Sequence, residues 1–432
     1  MPPYQPRRNK SSQQKKTKRT PYMGKARKES RLPLDDKFLV QRPFLRNDIS
    51  SIPVARLKTT TKHPTVFRKR IANVADQSAH GDVVQVRADS GETVGYGFWN
   101  PRAEATIRML SWGEVLPDER WWEAQIKQAV SLRKDLLQLK SRTNAYRLIN
   151  AEGDGFPGLV VDLYSDVITV QTYTLGMYQR GEAIARMIAK ILDTKHWVVR
   201  TGPATFPQEG FLADGFESGK VPEKLMITEQ GAKYEIHPFE GHKTGFFCDQ
   251  RENRIQLRDY CKGKDVLDLC CYSGGFSINA ALGGAKKVTG VDLDEEAIEF
   301  AKRNANLNKS KVKFVHADAF AYMRDMQRNN KLYDVIILDP PKLIRGRDEM
   351  HEGQNKYFDF NQLAASLVKP GGLLLSCSCS GLLSMSDFTM TVRAAITERT
   401  PRILARSGAG PDHPVQANCL ETEYLKCLWM QL

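Results

Sequence analysis

Hydrophobic and polar positions alternate in short runs over the first structured part of the chain. Short strand candidates between about residues 37 and 110, such as VARLKTT and ATIRMLSW, are separated by turn-forming residues. In the stretch 81–99, Asp89, Ser90 and Gly91 are predicted to form the turn between two strands. This spacing predicts a small, mostly β domain over residues 37–114.

The next part of the chain mixes the helical and the strand period. Asp118 can cap a helix that extends to about residue 139, and strands are predicted within the stretch 145–174. A helix near 178–193 follows, and then a hairpin that turns at Gln230 and Gly231. We therefore predict a small central α+β domain over residues 115–242.

The last part of the chain, residues 243–432, alternates apolar strands with helices. Five nearly continuous apolar runs are separated by helical stretches near residues 276–283, 295–307, 319–328, 356–368 and 386–398. Such strands are typical of a mostly parallel, Rossmann-like sheet covered by helices on both faces, which is an α/β fold. Ligands bind such sheets beyond the carboxyl ends of the strands, so the informative residues should follow each strand.

Composition excludes several classes of protein. The chain has 432 residues, is 41% hydrophobic, and contains no apolar run long enough to span a membrane. No secretory signal is visible, and the eight cysteines are not spaced as a disulfide scaffold or as a C-x-x-C metal site. We therefore expect a cytoplasmic protein with reduced thiols and no metal.

Positive charge is concentrated at the N-terminus. Residues 1–32 contain eleven Lys or Arg residues and a single acid, Glu29, so they supply ten of the fourteen net charges. This segment has almost no large aliphatic residues, and we predict that residues 1–36 form a disordered basic tail. Such a tail favours a polyanion such as a nucleic acid, although a solubilising role is the simpler alternative.

Three acidic residues and one glycine loop form the candidate cofactor site. Asp268, Asp292 and Asp318 each stand at or near the end of a predicted strand. The loop after the first strand contributes Tyr272, Ser273, Gly274, Gly275 and Phe276. The dinucleotide fingerprint is absent, and Asp268 would repel a pyrophosphate but attract an ammonium or sulfonium group. The residues therefore favour S-adenosylmethionine over a nicotinamide cofactor.

The fourth and fifth predicted strands end in the candidate reactive residues. Asp339 is followed by Pro340, Pro341 and Lys342, a rigid turn that we predict to hold a planar substrate. The fifth strand carries Cys379 near its end. A thiolate that adds to C6 of a pyrimidine makes C5 nucleophilic, and Asp339 can hydrogen-bond the ring to favour that addition. Cys379 is the predicted nucleophile, and the alternative is that it only packs as a small apolar residue.

Several segments together resemble one known family. They are His63–Phe67, Asn150–Leu159, Lys243–Arg251, Asp268–Phe276, Asp339–Lys342, Ser378–Gly381 and Asp412–Pro414. The chain resembles bacterial 23S rRNA cytosine-C5 methyltransferases, which combine a PUA domain, a central α+β domain and a class I S-adenosylmethionine-dependent methyltransferase domain.

The resemblance implies a PUA-like β-barrel, a seven-stranded mostly parallel sheet, and a target cytosine in large-subunit rRNA, either naked or in an assembling particle. It also implies that Cys379 is the nucleophile and that Thr244, Phe246 and Arg251 lie near the cofactor. The basic tail lies outside the family pattern. Cys377 lies two residues before Cys379, so both side chains would lie on the same face of the strand. The choice of nucleophile between these two cysteines therefore stays open.

Two other functions remain compatible with the sequence. In the first, the enzyme methylates a base nitrogen, with Asp339 and the prolines orienting the base and no covalent intermediate. In the second, the protein is a non-catalytic RNA-binding factor for ribosome assembly that retains a cofactor pocket. The sequence leaves the oligomeric state open, with a homodimer among the options.

Overall fold

The structure, a computed structural model, describes residues 32–45, 51–238 and 246–432. Its first unit is a six-stranded sheet in the order β2-β6-β5-β4-β1-β3, in which only the β1–β4 pair is parallel. The strands are β1 Val54–Leu57, β2 Thr65–Val66, β3 Ile71–Val74, β4 Val83–Arg87, β5 Thr93–Trp99 and β6 Ile107–Trp112. Alternate side chains such as Val84 and Val86 are buried on one face of the sheet. This burial explains why a segment with alternating polar and apolar residues forms a strand here.

Most of the predicted tail, residues 1–31, lies outside the described residues. The last part of the predicted tail, residues 32–36, is described, and the boundary at residue 36 stays a prediction. The Leu34 backbone N–H donates to the Gly210 carbonyl at 2.8 Å, and the Leu34 side chain packs with Leu175, Tyr178 and Phe211. Leu34 can do so because it is an apolar residue that follows the basic segment and reaches an apolar surface of the central unit.

The central unit is a five-stranded sheet in the order β11-β10-β9-β8-β7, with a separate hairpin. Its strands are β7 Ala145–Asn150, β8 Leu159–Tyr164, β9 Val167–Thr172, β10 His196–Thr201, β11 Phe216–Glu217, β12 Leu225–Glu229 and β13 Ala232–Ile236. Its helices are α1 Glu119–Ser131, α2 Leu175–Tyr178, α3 Gly181–Leu192 and α4 Thr205–Glu209. Asp118 caps α1 as predicted, and Trp122 and Ile126 on that helix are fully buried.

The last unit is a seven-stranded sheet in the order β16-β15-β14-β17-β18-β20-β19. Its strands are β14 Asp265–Leu269, β15 Lys287–Asp292, β16 Lys313–His316, β17 Tyr333–Leu338, β18 Val368–Ser378, β19 Arg402–Ser407 and β20 Lys426–Gln431. The first five are parallel, and β20 runs antiparallel between β18 and β19. The predicted mostly parallel, seven-stranded α/β sheet is thus confirmed.

Helices cover this sheet close to their predicted positions. They are α5 Arg251–Arg258, α6 Gly275–Leu282, α7 Glu295–Leu307, α8 Ala319–Arg328, α9 Met350–Ser366 and α10 Met385–Ala395. The helix α5 was not predicted from the sequence, and α9 begins well before its predicted start at residue 356. Its first residues, Met350 to Asn355, are mostly polar and carry little apolar periodicity, so the sequence pattern did not reveal them.

Side chains from distant segments join the three units. The Asp412 carboxylate accepts two hydrogen bonds from the buried Arg251 guanidinium, at 2.6 and 3.0 Å, and one from the Arg147 backbone N–H at 3.0 Å. The first sheet contacts the same C-terminal region, because His63 Nε2 lies 2.6 Å from Glu421 Oε1. No helix among the described residues is long and apolar enough to cross a membrane.

Candidate active site

The carboxyl ends of four neighbouring strands place the predicted site residues in a row. Leu269 at the end of β14 is in register with Val291 on β15 and with Leu338 on β17, and Leu338 is in register with Ser376 on β18. Adjacent strands are about 4.8 Å apart, so the row from Asp292 to Cys379 is roughly 14 Å wide. Such a width suits a nucleoside cofactor beside a planar substrate.

The loop between β14 and α6 has an unusual backbone. Cys270, Tyr272 and Gly274 all have positive φ values, of 61°, 47° and 82°. A Cβ added to Gly274 would lie 3.1 Å from both Ala301 and Phe314, so this position needs glycine for space as well as for its conformation. The loop therefore turns tightly at the strand end, and α6 begins at its far side.

Asp268 is the most perturbed acid of the site. Its carboxylate is fully buried, and Oδ2 accepts a hydrogen bond from Ser277 Oγ at 2.6 Å, while Oδ1 has no hydrogen-bond partner among the described residues. Burial raises the pKa of Asp268 to about 7, with the Asp339 charge adding to the rise and the Ser277 hydrogen bond opposing it. An orphaned, buried acceptor of this kind fits a ligand that carries positive charge.

Asp292 and Asp318 are held by backbone groups. The Asp292 carboxylate accepts from the Tyr272 N–H at 2.8 Å and from the Asp294 N–H at 2.9 Å, so it is fixed beside the glycine loop. Asp318 is exposed and caps α8 through a 2.8 Å bond from the Ala321 N–H. Both carboxylates keep further acceptor capacity, and their predicted part in the cofactor site stays a prediction.

Asp339 stands next to the glycine loop across the sheet. Its backbone N–H donates to the Leu269 carbonyl at 3.3 Å, and its Oδ2 accepts from Gln250 Nε2 at 3.0 Å. Pro340 is buried, whereas Pro341 and Lys342 are exposed at the mouth of the site. The Asp-Pro-Pro turn thus presents one fixed carboxylate and an accessible rim, as a site for a planar base requires.

The structure distinguishes the two candidate nucleophiles. Cys377 lies inside β18, is fully buried, and its thiol pKa is raised well above the ordinary value by burial and by the adjoining Cys427. Cys379 follows the last residue of β18 and is only half-buried, with its Sγ 4.0 Å from the Pro340 carbonyl oxygen. A substrate at the Asp-Pro-Pro turn can therefore reach Cys379 but not Cys377.

The side chains of three predicted cofactor residues do not lie at this edge of the sheet, and a fourth predicted residue lies outside the described part of the chain. The Phe246 side chain is buried against Tyr234 beneath the central hairpin, and the Phe276 side chain packs in the core of the last unit. The Arg251 guanidinium is fully buried and bound to Asp412 and Glu252, so its observed role is structural. Thr244 lies outside the described residues.

Two neighbours of the site were missed by the sequence interpretation. Phe247 packs edge-on against Tyr272 with ring centroids 5.1 Å apart, so the ring beside the loop is Phe247 and not Phe246. Gln250 orients Asp339 and is itself held by Asn253 at 2.7 Å. Both belong to the segment Lys243–Arg251 that the resemblance singled out, but only the tertiary contacts of its described residues, 246–251, show which of them lie near the site.

A parallel sheet with this strand order, a glycine loop after its first strand and acids at the neighbouring strand ends define a class I S-adenosylmethionine-dependent methyltransferase. The comparisons agree with this class. The model of the family described as S-adenosylmethionine-dependent methyltransferase matches residues 147–414, and a PUA-like domain matches residues 55–112.

Curated relatives are similar over nearly their whole length. The ribosomal RNA large subunit methyltransferase I of Alteromonas mediterranea is 34% identical over 374 residues, covering 85% of this chain and 94% of the relative. The enzyme of the same name from Vibrio cholerae is 33% identical, covering 84% and 94%. This chain therefore belongs to the S-adenosylmethionine-dependent methyltransferase family, with S-adenosylmethionine as its cofactor.

Solved structures share the fold. The crystal structure of SMU.776 complexed with SAH superposes with a TM-score of 0.74 at 23% identity, covering 86% of this chain and 96% of that one. A second structure, from Streptococcus mutans, gives a TM-score of 0.74 at 21% identity and covers 87% and 100%. The predicted class I fold with an N-terminal PUA-like domain is confirmed.

Proposed function

We propose that this enzyme methylates C5 of a cytosine in large-subunit ribosomal RNA through a covalent adduct with Cys379. The relatives named ribosomal RNA large subunit methyltransferase I support the choice of substrate. One observation carries the choice of chemistry: a half-buried thiol lies at the end of β18 beside the Asp-Pro-Pro turn, while the second thiol of the same strand is sealed in the core. A nitrogen methyltransferase has no use for a thiol at that place.

Each residue of the row has a separate task in this reaction. Asp268 and Asp292 would hold the cofactor on either side of the glycine loop, and bound S-adenosylmethionine supplies an electrophilic methyl group. The Cys379 thiolate adds to C6 of the cytosine, which gives C5 its nucleophilic character. Asp339, fixed by Gln250, in its protonated form would donate a hydrogen bond to the ring and offset the negative charge that this addition creates. C5 would then take the methyl carbon, whose bond to the cofactor sulfur breaks as the new bond forms. Loss of the C5 proton to a base finally expels the thiolate and restores the aromatic ring.

The RNA would be held away from the reacting base. Exposed cations of the first unit, Lys62, Arg68 and Lys69, suit contacts with RNA phosphates. Lys62 also lines, with Trp112, a cleft of about 630 Å³ that extends to Asn418 of the last unit. The target base must be unstacked to reach Cys379, at a free-energy cost of a few kcal/mol.

The direct test is transfer of a labelled methyl group to ribosomal RNA, followed by mass spectrometry of the nucleosides. The expected product is 5-methylcytidine at a single position that is unmethylated in cells lacking this protein. A methyl group on a base nitrogen would replace this proposal with the noncovalent mechanism. Absence of transfer to naked RNA and to assembling large subunits alike would favour a binding role in assembly.

The raised pKa of Asp268 predicts that cofactor affinity depends on pH. A cationic cofactor favours the ionised carboxylate, so the free protein must release a proton when it binds below about pH 7. We expect the dissociation constant of S-adenosylmethionine to be constant above about pH 7.5 and to rise by up to tenfold per pH unit below pH 7. Calorimetric titration between pH 5.5 and 8.5 measures this dependence.

The matched control for that titration is Asp268→Asn, which keeps the shape but cannot ionise. We expect weaker binding in this variant and no rise in the dissociation constant between pH 7 and 6. If the variant shows the same pH slope as the unmodified protein, another group is responsible and Asp268 does not bind the cofactor's positive charge.

A further inference from the structure

One buried cation beside Cys379 has no role in the reaction described so far. Lys426 is the first residue of β20 and is 2% exposed. It is in register with Ser378, the residue before Cys379, because β20 lies antiparallel to β18. The strand pairing therefore places a lysine side chain next to the end of β18, where the candidate nucleophile lies.

The Lys426 ammonium is held by neutral groups. Its Nζ donates to the Ser380 carbonyl oxygen at 2.6 Å and to the Tyr424 carbonyl oxygen at 2.8 Å. These contacts fix the charge immediately beyond Cys379, but carbonyl oxygens do not neutralise it. Buried charges in proteins are normally paired, so we expect an anion near the Lys426 ammonium.

The surrounding charges point to the thiol as that anion. Burial lowers the pKa of Lys426 to about 8, and the strongest opposing influence is the charge of Cys379. Glu423 and Cys427 act in the same direction, while Lys342 opposes them. Burial raises the pKa of Tyr357 to about 12, hydrogen bonds with Ser378 and Ser380 oppose the rise, and the Cys379 charge adds to it, so the Tyr357 phenol stays neutral near the thiol.

We propose that Lys426 is a positioning residue whose ammonium holds Cys379 in the thiolate form. This inference rests on the proposed function, since only a nucleophile needs the thiolate. The thiol proton is released to water, Lys426 keeps its own three protons, and a buried ion pair results. A neighbouring opposite charge typically lowers the pKa of a thiol by one unit or more.

The test measures the thiol directly and requires neither RNA nor cofactor. Alkylation of Cys379 by iodoacetamide, followed by mass spectrometry of the peptide, gives a rate at each pH. We expect a midpoint below the ordinary thiol value of about 8.5 in the unmodified protein. In Lys426→Gln, whose amide can still donate to a carbonyl, we expect a midpoint about one unit higher and a rate at pH 7 about tenfold lower.

Two control variants separate the local charge from other effects. Lys426→Arg keeps the positive charge, so the midpoint of Cys379 alkylation should stay low. A purely structural role for the lysine amine would not predict this result. Lys369→Gln removes an equal charge at the opposite end of β18, where Lys369 binds Asp334 at 2.9 Å, and should leave the midpoint unchanged. If the glutamine variant fails to fold, Lys426→Met is measured in the same way.

Two results would overturn the role of Lys426: an ordinary or raised midpoint in the unmodified protein, or equal midpoints with lysine and glutamine. Neither depends on catalysis. Failure of the proposed function would instead appear as full methyl transfer by a Cys379→Ala protein, so the two failures are distinguishable.

Discussion

Replacing Cys379 by alanine is expected to reduce methyl transfer by about a thousandfold or more, without loss of cofactor binding. Without the thiolate, C5 of cytosine is a poor nucleophile, and nothing else in the row can add to C6. Transfer of a tritiated methyl group to ribosomal RNA measures the rate. Calorimetric titration with S-adenosylmethionine verifies that the pocket is intact, since Cys379 lies two strands away from the β14 loop.

The matched control is Cys377→Ala, which removes the other thiol of the same strand. Because the Cys377 side chain is fully buried, we expect its replacement to lower the free energy of unfolding by about 1 kcal/mol. The rate of methyl transfer should stay within about threefold of that of the unmodified protein. RNA that carries 5-fluorocytidine at the target should form a stable covalent complex with the unmodified protein and with the Cys377 variant. Equal activity of the two alanine variants would eliminate covalent catalysis by Cys379.

The second large effect is on stability. Asp412→Asn is expected to lower the free energy of unfolding by about 3–5 kcal/mol, because it leaves the fully buried Arg251 guanidinium with only the partly exposed Glu252 carboxylate as an anionic partner. Burial by itself would raise the pKa of Asp412, but His413 and Arg251 outweigh it and hold that pKa well below its usual range. Urea unfolding at pH 7 measures the difference.

The control for this prediction is Asp325→Asn, which breaks an exposed ion pair with Arg328 on α8 and should cost less than about 1 kcal/mol. The pH dependence gives an independent check. A depressed folded-state pKa means that the stabilisation is fully present above about pH 4 and is lost as the pH falls through the lower folded value. The gap between the unmodified and Asp412→Asn proteins should therefore narrow below pH 4; a gap of equal size at pH 7 and pH 3 would contradict this assignment.

The Asp412 network gives Arg251 a structural role that the resemblance did not indicate. Three of the quoted segments meet in this network: Asn150 Nδ2 donates to the Pro414 carbonyl at 2.9 Å, and Arg133, which pairs with Asp154, donates to the Asp412 carbonyl at 2.6 Å. A segment can be characteristic of a family because it joins domains. Sequence alone does not distinguish that cause from cofactor binding.

The local sequence pattern was sufficient to predict most of the helices and strands, and to predict at which edge of the sheet the candidate site lies. Apolar runs that alternate with helical stretches require a parallel sheet, and such a sheet gathers the residues that follow its strands. Asp268, Asp292, Asp339 and Cys379 were found in this way, because each is close in sequence to the strand that carries it. Gly274 was found because a tight turn with positive φ favours glycine.

Only the tertiary structure decided which side chains face one another across the sheet. The choice of Cys379 over Cys377 depends on where β18 ends and on what covers it. Gln250 and Lys426 reach the site from segments that are far away along the chain, Gln250 from the turn before α5 and Lys426 from an antiparallel strand beside β18. Strand periodicity fixes the alternation of side chains within a strand, but burial and charge pairing arise from long-range packing that periodicity does not encode.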